Sequence, residues 1–319
     1  MTQLPNSLSR IRLNQVPFHF TTVGAALACL MVSACGAEGM GDQVGEQTEF
    51  AETSEALQNG GAPTGLGDGG TVRIDVWNNG QWNQSCSGQV VARDSVLTAA
   101  HCFRGFGRPS GNRWAYVIWR QSDDGTWTNL TQTSASGWKR GSFELHPDYD
   151  GTQVAAPVAG DNGWRNHDAK HDVAVLTLDA NLTGITRNDS VYLDNNSPRA
   201  RDASFWGYST SVLRQGLYDV TFNFSDGLYR SKPNVSDPRF CPGDSGGPLK
   251  RRDSLFEQDG IQIGIGSDFT NGCLTAGSTT RFTGVQPNIS FITGAFSPHR
   301  CIDVTSLSTT GSVAVKRCW

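Results

Sequence analysis

The chain is predicted to be an all-β protein, a sandwich or a barrel. Three observations carry that expectation. Glycine is abundant, at 37 of 319 residues. Segments with a helical period are scarce. Short apolar or alternating stretches, such as Ser95–Ala99 and Asp172–Leu178, lie between turn residues, as in strands joined by tight turns. A hydrophobic fraction of 37% over this length can build one large domain or two small ones. The net charge is -4 and no basic run is present, so nucleic acid is not an expected partner.

The amino-terminal segment is read separately. Arg10 and Arg12 precede an apolar run from Val23 to Val32. That run is too short for a permanent membrane helix and reads as a signal peptide over residues 1–34. It ends in Val32-Ser33-Ala34-Cys35, which resembles a bacterial lipobox whose cysteine is lipidated and becomes the first mature residue. Ordinary cleavage after Ala34 is the alternative. Residues 35–56 carry six acidic residues and no basic one. Such a segment cannot build a core and is expected as a disordered tether or propeptide, with a reach of roughly 25 Å. The expected location is the outer membrane or cell surface through Cys35, otherwise the periplasm or the medium.

Cysteine usage agrees with export. Of eight cysteines, removal of Cys29 and lipidation of Cys35 leave six, which suits three disulfides in an oxidising compartment. Chain order suggests that neighbours pair: Cys86 with Cys102, Cys241 with Cys273 and Cys301 with Cys318. A metal site is the competing use of cysteine. The sequence holds no CxxC pair, and no metal and no cofactor are expected.

The stretch Cys241–Leu249 reads CPGDSGGPL. It sets Ser245 in a glycine-rich turn that can present a hydroxyl. A serine is a weak nucleophile until a base takes its proton. Among six histidines, His101 lies in VLTAAHC, where an apolar strand and a cysteine frame it. His146, His167, His171 and His299 lack such a frame and are expected at the surface. The base needs an orienting acid, and HDVAVLTL puts Asp172 at the mouth of an apolar run. A turn aspartate that merely starts the strand is the alternative. Backbone N–H groups of Gly243 and Ser245 can converge on a developing oxyanion if the loop bends sharply.

LTAAHC, HDVAVL and CPGDSGGPL together resemble the three active-site blocks of the trypsin-like (chymotrypsin-family) serine proteases, in that family's order. CSGQVVARDSVLTAAHC, FWGYS and FITGAF add to the resemblance, which covers about residues 57–296. It implies two packed antiparallel six-stranded β-barrels, a short C-terminal helix and an active site in the cleft between the barrels. His101 and Asp172 would belong to the first barrel and Ser245 to the second. Substrates would be proteins or peptides; the oligomeric state is left open.

The resemblance also exposes departures. Arg239 stands six residues before the serine, where trypsin specificity requires an acid, so cleavage after Lys or Arg is not expected. Ser267-Asp268-Phe269 replaces the family's Ser-Trp-Gly, and Phe269 is expected to block the pocket entrance. Thr280 replaces another pocket glycine. A narrowed pocket favours small side chains, while Arg239 could attract an acidic one or be neutralised by Asp237 or Asp268. LQNGG, from Leu57, resembles the family's activation start. The Leu57 amine would then pair with Asp244, although Ala56 precedes it instead of a basic residue; a plain linker is the alternative. The insertion within residues 151–170 reads as a surface loop in which Trp164 packs. Residues 297–319 faintly resemble one repeat of a ricin-type trefoil, which cannot close a core alone. They are expected as a disulfide-tied extension, a truncated chain being the alternative. The function expected is an exported serine endopeptidase, with a catalytically silent binding module or adhesin on the same fold as the alternative.

Overall fold

The computed structural model describes Leu57 and residues 70–319. Excepted are 79–80, 104–113, 123–124, 132–140, 151–167, 187–188, 197–200, 210–211, 234–236, 253–259, 271–272, 274–276, 296–300 and 309–310. The signal segment, Cys35, the acidic tether and Trp164 lie outside the described residues. No helix among the described residues is long and apolar enough to cross a membrane.

Two sheets make up the fold, antiparallel throughout except where β8 (Tyr192–Asp194) pairs with β13 (Ile261–Phe269). The first holds β1 (Thr71–Asn78), β2 (Gln81–Ala92), β3 (Ser95–Thr98), β4 (Trp114–Gln121), β5 (Trp127–Asn129), β6 (Gly141–Leu145) and β7 (Ala174–Leu178). Its order is β5-β4-β1-β2-β3-β7-β6. Six strands closing on themselves were expected. The sheet has seven, and no pairing joins β5 to β6 among the described residues. The three residues of β5 pair only along β4. Val72, Ile74, Val90, Val96, Leu97, Val175 and Leu176 fill its core.

The second sheet contains a closed barrel. Its strands are β8 (Tyr192–Asp194), β9 (Arg201–Gly207), β10 (Arg214–Asn223), β11 (Leu228–Ser231), β12 (Pro248–Arg251), β13 (Ile261–Phe269) and β14 (Thr280–Gly284). Six of these run β12-β9-β10-β11-β14-β13, and β12 pairs back to β13 to close the ring. In β10, Tyr218 and Val220 are buried while Leu217, Asp219 and Thr221 are exposed, the period of two that a barrel wall requires. Phe205, Tyr218, Phe240 and Phe282 meet inside, with ring centroids 5.4–6.3 Å apart. Every residue of β13 is buried. A short helix, α1 (Ile289–Ala295), follows β14.

The three disulfides join the expected pairs, Cys86–Cys102, Cys241–Cys273 and Cys301–Cys318. The carboxy-terminal residues do more than hang on a disulfide. They form a hairpin of β15 (Cys301–Ser308) and β16 (Gly311–Cys318), registered from Cys301↔Cys318 to Ser308↔Gly311. Strand β16 pairs with β8, which runs parallel to β13. The tail thus extends the second sheet by two strands, and its backbone groups are met by a ladder that a loose extension would lack.

Candidate active site

Strand β3 ends at Thr98 and runs into a single 3-10 turn, Ala100–Phe103, which carries His101. Cys102, in the same turn, is bonded to Cys86 of β2, so the imidazole springs from backbone held on both sides. Asp172 immediately precedes Val173 and β7, the strand paired with β3. Its side chain is fully buried. One oxygen accepts the His101 backbone N–H at 2.8 Å, and the other lies 2.7 Å from His101 Nδ1. Ser267 Oγ donates to that second oxygen at 2.6 Å. Three donors on a solvent-free carboxylate satisfy the charge that burial would otherwise penalise. They also fix Nδ1 as the protonated ring nitrogen, which makes Nε2 the nitrogen that can accept a proton.

The Ser245 loop is fastened to both sheets. The Ser245 carbonyl accepts from Ser87 N–H of β2 at 2.7 Å, and Gly246 N–H donates to Gly266 of β13 at 2.7 Å. Ser87 Oγ donates to the Gly243 carbonyl at 2.9 Å and accepts the Tyr208 N–H at 2.8 Å. Gly243 has φ +94°, and a Cβ there would sit 2.7 Å from Ser209 Cα. Only glycine takes this bend without strain. The N–H groups of Asp244, Gly246 and Gly247 each find a carbonyl. Among the described residues, those of Gly243 and Ser245 donate to no protein acceptor. The fold therefore brings His101, Asp172 and the Ser245 loop to one junction between β2, β7 and β13, and leaves two backbone donors beside the hydroxyl residue.

The sequence model of the family described as Trypsin matches residues 68–292. The chain belongs to the trypsin family. It is 24% identical over 238 residues to Trypsin CFT-1 of Choristoneura fumiferana, covering 70% of this chain and 82% of that one. It is 25% identical over 225 residues to the fibrinolytic enzyme isozyme C of Lumbricus rubellus, covering 61% and 82%. A trypsin-like protease of Streptomyces glaucescens is 25% identical over 218 residues, covering 64% and 72%.

The residues expected to line the pocket are buried. Arg239, Ser267, Asp268, Phe269 and Thr280 are each at most 5% exposed. Phe269 was expected across an entrance. Instead its ring joins the barrel core, with its centroid 6.1 Å from that of Phe240. The reason is apolar: the ring gains more from the core aromatics than from standing in water. Asp268 holds Arg281 across the β13–β14 register, at 2.5 Å to Nε and also through Nη2. Thr280 lies opposite Phe269 on the same pair of strands.

Leu57 is fully buried and belongs to the second core cluster. Its N–H donates to Ser209 Oγ at 2.7 Å, and it also bonds Asp244. The buried Asp244 carboxylate further accepts from Cys241 N–H and Ser209 N–H, each at 3.0 Å. Burial dominates and pushes the Asp244 pKa up to about 7, against the pull of these hydrogen bonds.

Sequence reasoning missed three serines. Ser267 entered only as a pocket residue, and Ser87 and Ser209 not at all. Each stands beside a motif that was read, in CSG, FWGYS and the strand before Cys273, but a hydroxyl's partner is invisible until strands are paired. Two histidines expected at the surface, His146 and His171, are half-buried and stacked on each other. Burial, and then the neighbouring His171, lower the His146 pKa.

Proposed function

We propose that the protein is an exported serine endopeptidase. The observation that carries this reading is the Asp172 carboxylate, which grips His101 through both oxygens at 2.8 and 2.7 Å. Ser245 Oγ attacks the scissile carbonyl while His101 Nε2 takes its proton. The oxygen that gains the negative charge is met by the Gly243 and Ser245 N–H groups. The carbon–nitrogen bond then breaks, and His101 returns the proton to the leaving amine. Water repeats the sequence on the acyl-enzyme and releases the acid. Three formed disulfides support an oxidising location. A fluorophosphonate probe tests the reading: it should label processed wild-type protein on Ser245, and absence of labelling under every processing condition would overturn it.

The buried Arg239, standing where trypsin specificity requires an acid, disfavours Lys or Arg at the cleaved bond. The same departure at Arg239 is what favours a silent binding module as a second reading. Casein hydrolysis that disappears with Ser245→Ala excludes that module.

Ser267→Ala removes one charge-assisted hydrogen bond from Asp172 without opening a large cavity. Such bonds are worth about 1.5–3 kcal/mol, so kcat is expected to fall about tenfold or more with KM little changed. Steady-state kinetics on one peptide substrate checks this, and an unchanged kcat would show that His101 needs no help from Ser267.

Activation by a cut before Leu57 has a pH signature. Asp244 has a folded pKa near 7 against an ordinary value of 3.8. A carboxyl raised in this way contributes most below its unfolded pKa and loses that contribution as pH climbs through the folded value. The uncut chain should therefore lose stability between about pH 4 and pH 7, by on the order of 4 kcal/mol from this group. A chain beginning at Leu57 puts an ammonium beside the carboxylate and should lose much less. Denaturation of both forms, as Ser245→Ala to prevent autolysis, at about pH 5 and pH 7 separates them. Parallel profiles would take Leu57 out of the activating role.

A further inference from the structure

His146 follows the last residue of β6, and its N–H donates to the Val173 carbonyl at 3.0 Å. His171 closes the 3-10 turn Ala169–His171, one residue before Asp172. The β6–β7 pairing thus sets the two imidazoles side by side, with ring centroids 4.7 Å apart and planes 16° apart. Phe291 of α1 covers His146, with its ring centroid 4.8 Å away. Asp148 stands in the turn that follows β6, where the Tyr149 N–H returns to the His146 carbonyl at 2.9 Å. One ligand atom from each of His146, Asp148 and His171 lies within 4.8 Å of the other two.

We infer that His146, His171 and Asp148 form a binding site for a divalent transition metal of the zinc class. Two imidazole nitrogens and one carboxylate oxygen are a zinc donor set, with a fourth position left to water. Soft ligands are absent and oxygen donors are too few for calcium or magnesium. Asp168 supplies the supporting shell. Its Oδ2 lies 2.6 Å from His171 Nδ1, which commits that nitrogen and makes Nε2 the one that would ligate. A carboxylate behind a ligating histidine fixes its tautomer and raises its basicity. The His146 ring accepts the Asp148 backbone N–H at Nδ1, 3.2 Å away, a bond that ligation through Nδ1 would replace. Nitrogens on one tetrahedral zinc ion stand roughly 3.4 Å apart, given bonds of about 2.05 Å. Small side-chain rotations close that gap. Asp148 is exposed and gives the ion a way in. Among the described residues Lys170 is the cation beside His146, and it too is exposed. The second cluster of metal-binding types, Cys86, His101 and Cys102, is not comparable because its sulfurs are spent in a disulfide. An ion at His146 and His171 would clamp the end of β6 to the turn that feeds Asp172. Binding itself does not depend on the protease reading.

The test uses the full chain stripped of metal. Cobalt(II) titration followed by visible absorption, and zinc titration by calorimetry, should each show one site with a tetrahedral cobalt spectrum. His146→Gln and His171→Gln should abolish it, Asp168→Asn should weaken zinc about 10–100-fold, and His101→Ala should leave it unchanged. Calcium should not compete. Asp148→Ala, at an exposed position, should weaken binding without a folding defect and so keeps the test decisive if a histidine variant misfolds. No cobalt binding by the wild type, or binding that survives the histidine and Asp148 variants or vanishes with His101→Ala, would overturn the site.

Discussion

Replacing Ser245 with alanine is expected to lower kcat on casein or a peptide by about 10^6-fold, with KM nearly unchanged. The size follows from the proposed mechanism. Without Oγ there is no acyl-enzyme, and His101 and the two backbone donors can only assist a direct attack by water. The fold should survive, because the Ser245 backbone bonds to Ser87 and its neighbours' bonds to Gly266 do not involve the hydroxyl. An unchanged melting temperature alongside the lost activity would therefore assign the loss to chemistry. Activity within about a hundredfold of wild type would move the nucleophile elsewhere.

The second large effect belongs to Asp172→Asn, expected to cost about 10^4-fold in kcat at neutral pH. An asparagine offers one acceptor oxygen and one donor amide where the carboxylate offered two acceptors. The two oxygen positions face different partners. One meets the His101 backbone N–H, and the other meets His101 Nδ1 and Ser267 Oγ. With the amide oxygen on the backbone N–H, the amide nitrogen faces Nδ1 and forces the proton onto Nε2. That tautomer cannot accept from Ser245. The reverse orientation places a donor against the buried backbone N–H, which is costly. Kinetics of the variant, with stability measured by denaturation, separates the two. A kcat within tenfold of wild type would mean that Asp172 only starts its strand.

The residues of the proposed triad are legible in the sequence because each sits in a short local pattern. His101 is announced by an apolar strand and a cysteine, Ser245 by glycines on both sides, and Asp172 by the apolar run it opens. Disulfide partners were legible for a similar reason: each pair closes a loop of at most 32 residues, with no other cysteine inside it. The all-β class follows from turn residues and period-two patterning.

What only the tertiary structure decided depends on contacts far apart in the chain. Ser267 reaches Asp172 across 95 residues and Ser87 reaches Gly243 across 156. Nothing local distinguishes these serines from surface ones. No metal was expected from the sequence, yet the β6–β7 register stacks His146 on His171, which are 25 positions apart in the sequence. Phe269 reads as an obstruction when placed by its neighbours in the chain, but packs inward because the closed barrel offers it Phe240. The carboxy-terminal residues carry alternation weak enough to pass for a loose tail, and become strands only because β8 presents an edge to β16. In each case the side chain's chemistry was written in the sequence. Its partner was set by strand register, which is a property of whole sheets: each strand settles where its apolar face is buried and its backbone groups are met.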